Sequence, residues 1–204
     1  MDFQRVIARR RMVRRYSPDP VPQSTIDRLV NNAVRAPSAG FSQGWSFLVL
    51  DTRDDIDRFW SASTPPQRAA EPDSWLYGMR QAPLIIVPFS SKDAYLRRYA
   101  EDDKGWDDHS EARWPVPYWH IDTGMASLLI LLTAVDEQLG ACFFGIPADR
   151  VSAVCHEFGV PEEWTPIGAI TVGYPAADER PGGSARTRRR KTAHEVVHRG
   201  HWSG

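Results

Sequence analysis

Cysteine is scarce. The 204 residues contain two, Cys142 and Cys155. That excludes a disulfide framework and suits a reducing compartment, so a cytoplasmic location is expected. Both cysteines are expected to be small buried residues, not a redox pair. Long apolar runs are also missing. The most apolar stretch, Thr123 to Val135, has 13 residues bounded by Asp122 and Asp136. A bilayer span needs about 20, so this run reads as a buried core helix and no membrane partner is expected. The first residues, "MDFQRVIARRRMVRRY", are too charged for a secretory signal. No G-x-G-x-x-G occurs, which leaves a Rossmann cofactor domain unsupported. No internal repeat stands out.

What is present suits one globular domain over residues 1–204. The chain is 42% hydrophobic and 25% charged, enough to build a core and too apolar for disorder. Eight tryptophans suggest aromatic surfaces at a pocket or between subunits. Net charge is −1 but unevenly spread. Residues 1–15 carry +5 and residues 182–204 carry +5, so the body between them carries −11. Two basic ends on an acidic body invite an anion, either a nucleic acid or a phosphorylated cofactor. The aromatic residues do not interleave with the basic ones as stacking platforms would, so nucleic acid is not expected.

The expected elements follow hydrophobic period and breakers. Asp2 can cap a helix whose apolar side holds Phe3, Val6 and Ile7, with Arg10 and Arg14 continuing that stripe. A second helix carries Ile26, Leu29, Val30, Ala33 and Val34, and Pro37 stops it. "WSFLVL", Pro83–Phe89, "ACFF" and Pro166–Gly173 read as strands. Short helices are expected at Asp54–Trp60, Ser74–Arg80, Lys92–Tyr99 and Val151–Phe158. The central helix is expected over Trp119–Leu139, ended by Gly140. Residues 101–118 are acidic, aromatic and proline-broken, and read as a lid-like excursion. The order is not a strict βαβ alternation, so the fold class is α+β with one sheet and helices packed around it.

Two groups of residues carry candidate chemistry. Arg10, Arg11 and Arg14 sit at the expected helix end, with Arg10 and Arg14 facing the same way. Their guanidinium forks suit a phosphate. Arg188 and Arg190 lie on one side of an extended tail. The second group is the junction "APSAGFSQGW". Its small residues let backbone approach a bulky group, and Ser38 and Gln43 offer hydrogen bonds. His194, His198 and His201 have helical spacing for zinc, but no carboxylate or cysteine completes the set, so no metal site is expected. Asp122 and His120 are expected to be cap and surface.

Together these stretches resemble the FMN-dependent nitroreductase family. "RRMVRRY" resembles its first flavin-phosphate motif and "APSAGFSQGW" its second. "LLLTAVDEQLGACFFGI" is similar to its central helix and flavin-stacking strand, and "PIGAITVGYP" with "RTRRRKTAHEVVH" to its closing strand and arm. The match is weakest between residues 51 and 118. The resemblance implies an α+β fold with one mixed or antiparallel sheet, in an interlocked homodimer whose C-terminal arm, residues 176–204, reaches the partner. It implies FMN as cofactor and NAD(P)H as donor to a small, flat acceptor, nitroaromatic or quinone-like, by a ping-pong mechanism. By motif position, Arg10, Arg11, Arg14, Arg188 and Arg190 would serve the phosphate and the flavin's polar edge. Pro37, Ser38, Ala39 and Gln43 would pack on the flavin from the other subunit. Phe143, Phe144 and Gly145 would present backbone to its ring. Trp106, Trp114 and Tyr118 would contact the acceptor. The cofactor carries the chemistry, so no catalytic side chain is named. Met12, Phe41 and Gly44 depart from the usual serine, asparagine and proline, and Trp75 and Gly78 stand where some members have asparagine and lysine. Two other functions fit: a flavin-destructase-like enzyme consuming reduced FMN with oxygen, and a non-catalytic flavin- or polyanion-binding protein.

Overall fold

A computed structural model describes residues 1–180 and 182–202. Its first helix, α1 (Phe3–Arg9), starts where Asp2 accepts a hydrogen bond from the Arg5 N–H. It then stops short of the expected end: Arg10 is already its extended C-cap. The sheet edge captures the next residues. The Val13 N–H donates to the Ala141 carbonyl at 3.0 Å, and Met12 bridges Ala141 in parallel. Val13 and Tyr16 are buried, and the Tyr16 hydroxyl donates to the Val13 carbonyl at 2.6 Å. Edge pairing plus two buried side chains outweighs another helical turn. Phe3 and Ile7, expected on an apolar face, are exposed, and only Val6 is buried.

The remaining elements alternate irregularly. α2 (Gln23–Ala33) precedes β1 (Trp45–Leu50). Next come α3 (Arg53–Ser63), α4 (Pro66–Ala70) and α5 (Ser74–Met79). β2 (Leu84–Ser90), α6 (Lys92–Tyr99) and α7 (Tyr118–Asp136) follow. β3 (Gly140–Phe144), α8 (Val151–Glu157), β4 (Thr165–Pro166) and β5 (Ala169–Gly173) complete the body. The strands run in the order β1-β2-β5-β3, with β4 on β2, and every named pair is antiparallel. The expected strand at 166–173 is thus two pieces, split at Gly168, where φ is +149°.

β2 shows why the sheet lies between helical layers. All seven of its residues are buried. Leu84 and Ile86 join one apolar cluster with α2 and α7, while Ile85, Val87 and Phe89 join another with α3, α5 and α8. Alternate side chains of a strand point to opposite faces, so a continuous apolar run needs a covering layer on both. α7 covers one of them. At 19 residues it is longer than its apolar stretch, and Ala126, Ile130, Leu131 and Ala134 are buried against the sheet. Burying a side chain such as Ile130 contributes about 1.5–3 kcal/mol.

Gly140 does not end α7. Gln138 takes the left-handed turn there, with φ +63°. Gly140 opens β3 instead, because a Cβ at that position would lie 2.6 Å from the Val13 side chain. One glycine therefore admits the basic segment to the sheet edge. Cys142 is buried and Cys155 half-buried, and both are free.

Candidate functional site

The basic segment is extended, so its side chains alternate. Arg11 donates to Glu179 at 2.9 Å, and Arg15 pairs with Asp178 at 2.8 Å. The Glu179 side chain is only 4% exposed. Arg10 and Arg14, on the other side, have no carboxylate partner among the described residues. The expected helix-end cluster of three is therefore corrected: a strand-like period of two sorts the arginines into a neutralised pair and a charged pair. α5 packs on this segment's backbone, and a Cβ at Gly78 would collide with the Arg14 carbonyl.

The segment runs beside the start of β3, at Gly140 and Ala141. Phe144 turns into the core, where its ring stacks on Trp60 at 5.5 Å and 7°. Phe143 packs toward the α7 side. Gly145, just past the strand, is exposed, and a Cβ there would meet no atom within 4 Å. Its N–H makes no backbone hydrogen bond among the described residues. A flat group can approach this backbone, and a donor waits there.

The junction 37–44 is built on α6 and α7. The buried carboxylate of Asp122 accepts from the Ala39 N–H at 2.8 Å and from the Tyr95 hydroxyl at 2.7 Å. Asp122 is thus neither cap nor surface: it anchors the junction. Burial, and then the bond to Asp122, push the Tyr95 phenol above its ordinary range. Arg98 donates to the Gly40 carbonyl at 2.9 Å. Phe41 and Gln43 take left-handed backbone, with φ +56° and +49°. A Cβ at Gly44 would lie 2.6 Å from the Tyr95 ring, which accounts for glycine where proline is usual. The Ser38 hydroxyl accepts from the Gln43 N–H at 3.0 Å. Pro37 and Gln43 are exposed. No hydrogen bond among the described residues links this junction to Arg10, Arg14 or Gly145 in one chain.

The 101–118 excursion folds onto the same support. Trp114 lies 4.6 Å from Tyr99, 5.6 Å from Trp106 and 5.8 Å from Tyr118, centroid to centroid. Arg113 sits over Trp106 at 5.4 Å. The structure brings Trp106, Trp114 and Tyr118 together as a satellite aromatic core beneath the junction. His120, at the start of α7, bonds Ser90 Oγ through Nδ1 at 2.8 Å.

The tail carries Arg188 and Arg190 exposed, with neither near a carboxylate partner among the described residues. It approaches the basic segment at Gly183, whose Cβ would lie 3.5 Å from the Arg14 guanidinium. Arg189 instead pairs with Glu195 at 2.5 Å, and Glu195 closes a capping box with Thr192. That box caps a single turn, Ala193–Glu195, so His194, His198 and His201 do not share a helix. Among the described residues no His, Cys, Asp or Glu group is placed to hold a metal ion.

Fold and geometry define an α+β protein with two arginines free of carboxylate partners among the described residues and with open backbone at Gly145. The nitroreductase family profile matches residues 7–174, and the chain belongs to the nitroreductase family. A relative from Methanothermobacter thermautotrophicus, provisionally named as an NADH dehydrogenase/NAD(P)H nitroreductase, is 30% identical over 187 residues, covering 89% of this chain and 81% of its own. The 5,6-dimethylbenzimidazole synthase of Rhodospirillum rubrum is 28% identical over 178 residues, covering 81% and 78%. A provisionally named nitroreductase from Desulfovibrio desulfuricans, solved in complex with FMN, has the same fold, with TM-score 0.69, 23% identity and coverage of 97% and 96%.

Proposed function

We propose that this protein is an FMN-dependent oxidoreductase that passes electrons from NAD(P)H to a flat organic acceptor. The observation that carries it is the sorting of the basic segment: Arg10 and Arg14 stay without a carboxylate partner while Arg11 and Arg15 are neutralised. Two unpaired guanidinium groups suit a phosphate bearing about two negative charges. The exposed Gly145 N–H is a donor for a ring nitrogen, and Phe143 and Phe144 hold that backbone in place from the core. Bound FMN supplies a two-electron store between a donor and an acceptor that visit in turn.

The junction and the arm belong to the same proposal. Phe3, Ile7, Val34, Phe41, Ile121 and Leu128 are exposed large apolar residues in one chain. Val196, Val197 and Trp202 are likewise exposed on the tail. A second copy of the chain would cover both sets. It would also bring Pro37, Ser38, Ala39 and Gln43 to the Arg10/Arg14 site, with Arg188 and Arg190 from the arm. Arg11 would serve only after release from Glu179. Trp106, Trp114 and Tyr118 would then border the acceptor from under the junction.

The test is the visible spectrum of purified protein before and after anaerobic NADPH. A flavin band that bleaches, then returns with a nitroarene or quinone, is expected. Absence of any band after loading with FMN would sink the reading. The synthase relative favours a second one, in which the protein consumes its flavin with oxygen instead of recycling it. Repeated turnover without loss of the visible band excludes that alternative.

A further inference from the structure

A histidine stands at the same end of the sheet as Gly145. β2 and β3 are both antiparallel to β5, so they run parallel to each other, and Ser90 and Gly145 leave the sheet on one side. Two strand spacings, about 10 Å, separate β2 from β3. The junction closes on this end too, where the Gly44 carbonyl accepts from the Ser91 N–H at 2.9 Å. His120, in the first turn of α7, has its Nδ1 2.8 Å from Ser90 Oγ, and Ser90 is 1% exposed. The same hydroxyl donates to the Thr165 carbonyl at 3.3 Å. With its hydrogen committed there, the Ser90 oxygen accepts from Nδ1–H. The titrating position is then Nε2, which has no hydrogen-bond partner among the described residues, on an exposed residue. The bonds to Ser90 and Thr165 are the same whether Nε2 carries a proton or not, so the ring keeps its orientation through a transfer. Ser90, Thr165 and Trp119 surround the ring. Partial burial holds its pKa below the ordinary 6.5, and no charged side chain adds to that. Asp122, two residues on, is engaged by Ala39 and Tyr95 instead.

We propose that His120 gives the reduced acceptor its proton, with Ser90 as the residue that positions the ring. The proposal rests on the flavin reading. A quinone becomes a hydroquinone by gaining a hydride and a proton. The hydride, with both electrons, arrives from reduced flavin. The proton leaves His120 Nε2, and the neutral ring takes another from water. An acid whose pKa lies near the working pH donates well and reloads well.

The test is anaerobic stopped-flow reoxidation of NADPH-reduced, FMN-loaded protein by two acceptors. Duroquinone needs a proton, and ferricyanide takes electrons alone. His120→Gln should react with duroquinone about 100-fold more slowly than wild type, and with ferricyanide at the wild-type rate. Ser90→Ala should lose about 10-fold with duroquinone. In wild type the duroquinone rate should fall as pH rises through the ring's pKa, because the acid form is lost. His120→Gln should lack that step. Durohydroquinone added to oxidised protein should shift the His120 Cε1–H proton signal. Unchanged duroquinone rates in His120→Gln would overturn the proposal. So would equal losses with both acceptors, which would mark a structural role, or an unmoved Cε1–H signal. A flavin that NADPH does not bleach would remove the flavin reading, and the proton's role with it, before either acceptor is added.

Discussion

Two sites that the sequence marks with equal weight are held in opposite ways. At the junction, Asp122 satisfies a backbone N–H and a phenol at once, and Arg98 holds a carbonyl. At the basic segment, Arg10 and Arg14 keep their charge unneutralised while their neighbours are paired. The junction's polar groups are internally paired, and two of the segment's arginines have no carboxylate partner among the described residues. On the proposed reading, the first would shape the flavin site and the second would hold its phosphate. Unpaired cations at an ordered edge cost little while water reaches them, and they strengthen the hold on any phosphate that arrives.

The comparison can be broken most directly at the segment. Replacing Arg10 and Arg14 with alanine should weaken FMN binding by about 10²- to 10³-fold, as removal of charge-assisted contacts does. Equilibrium dialysis against FMN measures this, with Arg11→Ala as control. Arg11 is tied to Glu179, so its loss should cost less than about 5-fold. Equal losses in both variants would erase the distinction between the two sides.

Next in size is the junction. Asp122→Ala strands the Tyr95 hydroxyl and the Ala39 N–H in a buried place and should cost about 2–4 kcal/mol in denaturant unfolding. Tyr95→Phe removes one donor and leaves Asp122 its other, so about 1 kcal/mol is expected. If Asp122→Ala proved neutral, the junction would not depend on its anchor. Gly78→Ala sharpens the contrast from the other side. It should displace the Arg14 backbone and lower FMN affinity while leaving the Asp122 network intact, as amide spectra would show.

The smallest effect lies in the tail. The Arg189 guanidinium and the Thr192 N–H hold the Glu195 carboxyl at about 2, below its usual 4.5. A depressed carboxyl pKa contributes order that is complete above the unfolded value and is lost as pH falls through the folded one. The protection factor of the Thr192 amide, its exchange rate relative to the free-chain rate at the same pH, should therefore fall between pH 4.5 and 2 and stay constant above.

Several features were legible in the linear pattern for physical reasons. "PLIIVPF" is apolar at every position, and such a run fits only a strand covered on both faces. Asp2 caps its helix with a side chain as its position suggests, because short oxygen side chains reach the first free N–H groups; Thr52, Asp73 and Ser91 do the same in the structure. The junction's glycines admit Tyr99 and Tyr95 at close range, while the approach of a flavin belongs to the proposed reading. α4 was not legible: "PQRAA" is one short turn with no apolar face.

The sequence by itself determined most of the strands and helices, that both faces of one sheet are covered, and that basic charge gathers at the ends. Local propensity and periodicity act along the chain, so they can be read there. Tertiary structure alone decided the rest. Whether residues 10–15 are helical or extended depended on an edge carbonyl at Ala141 and a missing Cβ at Gly140, more than a hundred residues away. That choice turned a helical stripe of arginines into two opposed pairs. The role of Asp122 depended on Ala39 and Tyr95 meeting it from two other elements. Hydrogen bonds between distant residues leave no period in the sequence, and so only the fold could assign them.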